Sequence, residues 1–292
     1  MATLRQLKRR ITSVRNTAKI TNALQLVAAS KMRRAQDRAL QARPYAQQLQ
    51  RVLAGLASAA TADPDETHPL LTRRPIEHVG ILHITPDRGL CGALNGNLNR
   101  AAGTWAASQD NPVQIVAVGK KGRDFFFRAR QNITAEFTDL GDYPRAGDTL
   151  SISRVVTQDF IGGAVDEVYM SYPRFVTTAS QVPTIVRLLP IEPPTLDDTA
   201  DGERLVSDYI FEPSPAVVFE RLLPRYVDML IYQAVLENAA SFQAAQMVAM
   251  KNATDNAGEI EQELTLTYNK ARQEQITNEL LDIVGGAAAL EG

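Results

Sequence analysis

A single cysteine, Cys91, excludes an internal disulfide, and three histidines (His68, His78 and His83) leave little from which to build a zinc site. A lone thiol fits a reducing compartment. No apolar run approaches the ~20 residues that a membrane span needs. The start, MATLRQLKRRI, is basic and polar and lacks the apolar core of a secretory signal. Any work at a membrane is therefore expected to be peripheral. Net charge is only −2, so the whole-chain balance calls for no polyanionic partner. A phosphate-binding loop is also missing. Val118–Asp124 (VGKKGRD) has glycines and lysines without the GxxxxGK[ST] order. No carboxylate pair is placed suggestively, and Cys91 has no evident base beside it. Buried structural cysteine is the commoner case.

What is present is ordinary for a folded chain, with 45% apolar and 22% charged residues. Leu4, Leu7, Ile11, Val14 and Ala18 follow spacings of three and four, the period of a coiled-coil seam. The stripe then moves to Ile20, Leu24 and Val27. Alanines carry the helix on, and Pro44 is expected to bend or interrupt it. Residues 60–76 and 192–208, rich in proline and acid, read as linkers. Between them, strand patterns at His78–Thr85, Val113–Val118, Glu167–Ser171 and Val182–Leu189 alternate with amphipathic stretches. These lie at Leu94–Ala107, Lys120–Ala129 and Thr149–Ile161. A small, mainly parallel sheet follows. Ser214 and Pro215 suit the cap and first position of a second long helix. Phe219, Leu222, Leu223, Tyr226 and Leu230 mark its apolar side. Pro224 should kink it, and Gly285 and Gly286 should end it.

The fold class is thus α/β, with a long antiparallel coiled coil formed by the N- and C-terminal helices and a small Rossmann-like α/β domain. The segments are 1–58, 77–195 and 209–292. Helices of about 55 and 70 residues would run roughly 80 and 105 Å at ~1.5 Å per residue. Two such helices at opposite ends of a chain must cover each other's apolar stripes.

Charge is uneven. Residues 1–43 carry eleven basic side chains against Asp37 alone, and residues 251–292 carry eight acids against Lys251, Lys270 and Arg272. Pairing the two segments lowers self-repulsion. The remaining positive charge, including Lys31, Arg33 and Arg34, fits a solvated face, a nucleic acid or an acidic protein partner. Residues 1–43 have no aromatics for base stacking, which weighs against nucleic acid. Thr85–Asn97 (TPDRGLCGALNGN) follows the first strand and opens a helix, where α/β folds often bind ligands. Its glycines do not match GxGxxG, and tight-turn and close-packing roles are expected of them. A nucleotide-binding α/β enzyme with a coiled-coil extension is the alternative reading.

Four stretches taken together resemble the gamma subunits of bacterial F-type ATP synthases. They are Ile11–Arg34, Thr85–Asn97, Tyr209–Val227 (YIFEPSPAVVFERLLPRYV) and Met247–Leu290, the last with MKNATDNA, LTYNKARQ and the ending IVGGAAAL. The resemblance implies a rotor shaft without catalytic, cofactor or metal residues. Its coiled coil would enter a hexamer of alpha and beta subunits. Its α/β body would meet the epsilon subunit and the c-ring, which proton flow turns. It would lie peripherally on the cytoplasmic side of the inner membrane. By the same resemblance, acidic beta-subunit groups would meet Lys31, Arg33 and Arg34, a beta-subunit loop would meet Arg272, Gln273 and Thr277, and the hexamer would sleeve Ile283 to Leu290. The sequence departs from the family at several positions. KITNAL stands for KITKAM, Phe242 for a glutamate and Gln246 for the arginine of an upper contact. This implies greater reliance on the lower contact at Arg272, Gln273 and Thr277. The two-cysteine loop of the chloroplast relatives is missing, which argues against redox switching.

Overall fold

The computed structural model describes residues 3–60, 68–192, 212 and 214–291; the side chains of residues 39, 40, 42, 43, 46, 47, 55–60, 215, 216 and 286–291 are not described. Elements follow in the order α1 (Leu4–Ala60), β1 (Val79–Ile84), α2 (Leu94–Ala107), β2 (Val113–Val118), α3 (Lys120–Arg128), β3 (Ile133–Phe137), α4 (Ala146–Ile161), β4 (Glu167–Phe175), β5 (Gln181–Leu189) and α5 (Pro215–Glu291). They form two compact units. One is Met1–Ala28 with Met247–Gly292, and the other is Ala29–Gln246. Each long helix contributes to both.

In the first unit the two helices pair along heptads. On α1 the covered positions are Leu4, Leu7, Ile11, Val14, Ala18, Thr21, Gln25 and Ala28, with Leu24 half-covered beside them; on α5 they include Met250, Ala253, Thr254, Ala257, Gly258, Glu261, Leu264, Tyr268 and Ala271. Arg15 Nη2 meets Glu261 Oε1 at 2.6 Å, and the hydroxyls of Thr21 and Thr254 lie 2.7 Å apart. Partner numbers fall on α5 as they rise on α1, so the pair is antiparallel. The stripe does not shift at Ile20 as the sequence pattern suggested. The seam keeps its register through Thr21 and Ala28, where short side chains permit close approach, and Ile20, Leu26 and Val27 point outward with 61, 64 and 49% exposure.

The second unit holds a five-stranded sheet in the order β3-β2-β1-β4-β5. β1, β2, β3 and β4 are parallel, and β5 is antiparallel to β4 at the edge. Alternation along the strands sends side chains to two faces. Ile81, Ile115 and Ala117 pack with Ala102 and Phe126 of α2 and α3. Leu82, Ile84, Val116, Val118, Val168 and Met170 share a larger core with Ile152, Val156 and Phe160 of α4, Leu49 and Leu53 of α1, and Leu223, Val227, Ile231 and Val235 of α5.

Three expectations change, and neither Pro44 nor Pro224 interrupts its helix. Pro44 is exposed, where a lost backbone hydrogen bond is made good by water. Helix α5 runs on through Gly285 and Gly286 to Glu291. The first linker is partly structured. Leu70, in a 3-10 turn at Pro69–Leu71, is fully buried and accepts from Ile191 N–H at 2.8 Å, while Arg74 Nη2 donates to Val165 O at 3.0 Å. Strand β3 was not read from the sequence. It is five residues at the sheet edge, with Ile133, Ala135 and Phe137 half-covered, too short for its alternation to stand out. Ser214 caps α5 as expected, accepting from Val217 N–H at 3.4 Å. Most of residues 192–208 lies outside the described residues.

His83 sits fully buried in β1, with Nδ1 3.1 Å from Ser171 Oγ and Nε2 3.0 Å from Asn99 Oδ1. Asn99 Nδ2 donates to Lys121 O, so Asn99 Oδ1 is the acceptor. His83 Nε2 then carries the proton, and Nδ1 accepts from Ser171. Burial lowers its pKa to about 4 from 6.5. The unfolded chain therefore takes up this proton first, and stability falls as pH drops from about 6.5 toward 4. At about 1.4 kcal/mol per pH unit of difference, the loss reaches about 3 kcal/mol. His83→Gln should flatten the dependence of the urea midpoint on pH in that window. An unchanged slope would show that another group carries it.

Candidate functional site

The C-terminal ends of β1, β2 and β3 surround a cavity of about 440 Å³ that α5 closes with Val235, Asn238, Ala239, Phe242 and Gln243. In an open α/β sheet this is where a ligand would sit. The local hydrogen bonds show what occupies the would-be phosphate position. The three leading N–H groups of α3 are satisfied from within: Lys120 N–H donates to Asp87 Oδ1 at 3.0 Å, Lys121 N–H to Pro86 O at 3.3 Å and Gly122 N–H to Thr85 Oγ1 at 2.8 Å. Asp87 Oδ2 also accepts from Asp139 N–H at 3.1 Å. A carboxylate of the chain itself thus stands where an anion would bind, and it would repel one. Gly119, at φ +91°, and Gly122 allow β1 and α3 to come this close. A Cβ at Gly119 would overlap the Thr85 carbonyl, and one at Gly122 would meet His83 Cδ2 at 2.7 Å.

The glycine-rich segment after β1 behaves differently from the close-packing expectation. Gly89 and Gly96 have open space where a Cβ would go, and only Gly92 has a positive φ, +58°. Leu90 takes φ +62° without being glycine. Cys91 is buried with Leu94, Leu98, Phe242 and Ala245. Burial pushes its thiol pKa up, which disfavours the thiolate that nucleophilic chemistry needs. Phe242 therefore serves as an apolar plug against this turn. Among the described residues, no cluster of three or more metal-ligating side chains occurs.

The basic residues of α1 divide into two kinds. Lys31 Nζ donates to Asp142 Oδ2 at 2.7 Å, and Arg34 Nη1 donates to Tyr143 Oη at 3.3 Å. Arg33 is exposed. Sequence reasoning grouped all three, because charge runs do not reveal which members meet an acid from a loop a hundred residues away. Asp142 itself was missed; the surrounding glycine and proline gave no chemical signal.

On α5, Arg272, Gln273 and Thr277 are all exposed. Their spacing puts Gln273 and Thr277 on one face, while Arg272 points elsewhere. Projecting the register of Arg15 with Glu261 places the start of α1 opposite the early 270s. The residues that follow on α5 thus have no facing helix in this unit. Ile276, Leu280, Leu281, Ile283 and Val284 are exposed accordingly. Leu290 is helical, but its side chain is outside the described residues. Among the described residues, no helix is long and apolar enough to cross a membrane.

A family model described as ATP synthase matches residues 3–290. The ATP synthase gamma chain of Dehalococcoides mccartyi strain CBDB1 is 56% identical over 290 residues, covering 99% of this chain and all of the relative. That of Roseiflexus sp. strain RS-1 is 49% identical over 294 residues, covering 99% of both. The fold is similar to a chain in the cryo-EM structure of the Euglena gracilis mitochondrial ATP synthase in rotational state 3, at TM-score 0.66 and 21% identity over 98% of this chain and 94% of that one. It is also similar to one in the central stalk and c-ring of the Tetrahymena thermophila enzyme, at TM-score 0.60 and 24% identity over 80% of this chain and 99% of that one. With whole-length matches at these identities, the chain belongs to the ATP synthase gamma-chain family.

Proposed function

We propose that this chain is the central rotor shaft of a bacterial F-type ATP synthase, with no catalytic residues of its own, carried on the cytoplasmic side of the membrane by its partners. The observation that carries the reading is the helical pair. Its seam is closed, yet it leaves apolar side chains outside: Ile20, Leu26 and Val27 on α1, and Ile276 to Val284 on α5. An isolated pair in water would not present so much apolar surface. A surrounding sleeve of alpha and beta subunits covers it. Epsilon and the c-ring then hold the sheet-bearing unit, and c-ring rotation turns the shaft.

Coupling follows from asymmetry. Each beta subunit has states of different affinity for nucleotide. The shaft presents a different surface to each of its neighbours, so contact free energy biases each site differently. Rotation passes that bias on. Moving a site from 1:99 to 99:1 takes ~5.5 kcal/mol of differential contact. Many small contacts suffice, since an exposed ion pair is worth only ~0–1 kcal/mol. Arg33 offers such a contact directly. Lys31 would first have to leave Asp142. Gln246, replacing the arginine of the upper contact, shifts the load to Gln273 and Thr277.

Expression with alpha and beta subunits tests the reading. The chain should co-purify with both in a fixed stoichiometry, and ATP should turn a probe attached to it; recovery of free chain alone would overturn the proposal.

Within that complex, alanine at both Gln273 and Thr277 should slow synthesis and hydrolysis together by roughly fivefold, about one kcal/mol of lost hydrogen bonding. If both rates persist while Gln246→Arg raises them, the lower contact is not the main one.

Deleting Gly285–Gly292 should leave the subunit composition intact and lower the torque measured on a single complex. Unchanged torque would mark the tail as an uncoupled end.

A further inference from the structure

Three parts of the sheet-bearing unit converge on one carboxylate, Asp142, in the loop between β3 and α4. Lys31 of α1 donates to Oδ2 at 2.7 Å. Arg88, from the loop after β1, donates to Oδ1. Gln243 of α5 donates to Oδ1 from Nε2 at 3.3 Å. The carboxylate side chain is 19% exposed and Lys31 29%, so solvent screens this pair less than a surface one. The loop is bent to deliver it: Asp139 and Gly141 take φ +62° and +77°. Next to it, Tyr143 accepts from Arg34 at 3.3 Å and lies under the Arg38 guanidinium at 4.8 Å. Lys31, Arg34 and Arg38 fall three and four residues apart, on one face of α1. Arg88 also covers the ring of Phe242 at 5.7 Å.

We propose that Asp142 is a positioning residue that clamps α1 and α5 to the sheet domain and to each other, so that load applied to the sheet domain turns both helices together. The proposal rests on the rotor-shaft reading and adds to it the point of load transfer. An apolar core resists separation but offers little resistance to a helix rolling about its own axis, because dispersion contacts are non-directional. The hydrogen bonds of Lys31 and Arg34 and the cation–π contact of Arg38, all directional and on one face of α1, oppose such rolling. Gln243 ties α5 to the same oxygen that holds Arg88, so one loop grips both helices. A carboxylate is required. Asparagine would leave Lys31 and Arg88 facing each other with no counter-charge, and would offer one acceptor oxygen to three donors.

The test uses the complete complex in vesicles, carrying the unaltered chain, Asp142→Ala, Asp142→Asn or Asp142→Glu. The measured quantity is ions pumped per ATP hydrolysed. Asp142→Ala should lower this ratio roughly fivefold while hydrolysis stays within about twofold, since loss of one charge-assisted hub weakens load transfer without touching the beta subunits. Asp142→Asn, which keeps shape and secures assembly should the alanine variant fold poorly, should lower the ratio as well. Asp142→Glu, which keeps the charge on a longer side chain, should retain more of the ratio than Asp142→Asn, which keeps the size, whereas a merely packing role would reverse that order. If the unaltered complex pumps and Asp142→Asn pumps equally well per ATP, the clamp is overturned and the shaft reading stands. An Asp142→Glu ratio no higher than that of Asp142→Asn would likewise overturn the ion-pair clamp. If the unaltered chain forms no complex with alpha and beta subunits, the shaft reading falls first.

Discussion

Neither long helix buries its apolar stripe within its own segment, and each finds its cover in the other, running in the opposite direction. Arg15 with Glu261 and Thr21 with Thr254 set that pairing in one unit. In the other, Gln50 bonds Tyr226. Those pairs advance along α1 as they retreat along α5, as a heptad seam requires. Everything else in the structure accommodates this constraint. The sheet lends one face to it, and the central segment of the chain is inserted between its two arms.

Two polar arrangements make that accommodation possible. Asp87 closes the N-terminus of α3 and the loop after β3 from inside the chain, which stabilises the sheet edge and removes an anion site. Asp142, a few residues further on, gathers donors from α1, α5 and the β1 loop. The same edge that binds cofactors in many α/β proteins is here turned into a joint between the sheet and two helices. Fold likeness alone would have suggested an anion there; the Asp87 carboxylate already accepts from the head of α3 and would repel one.

The distribution of exposed apolar side chains follows the same logic. Thr21 and Ala28 occupy seam positions where Ile20 and Val27 would have been the more hydrophobic choice. Placing small residues inside lets the backbones approach, and placing larger ones outside leaves surface for a partner. Phe242 does the opposite, turning a large apolar side chain inward to seal the turn around Cys91.

Periodicity in the sequence was enough for the two long helices, four of the five strands, the parallel order of the sheet and the antiparallel partnership. These depend on local spacing and on gross charge, both readable along a chain. The motif stretches carried the family. Other features depended on contacts between residues far apart in number. The edge strand Ile133–Phe137 exists only because β2 is there to pair with it. Helix α1 runs through Pro44, and α5 runs through Pro224 and on through Gly285, in spite of local propensity. Lys31 differs from Arg33 only because the bent loop after β3 presents Asp142 to one and not the other. A charge pattern records which residues are available to pair; the path of the backbone in three dimensions decides which of them meet.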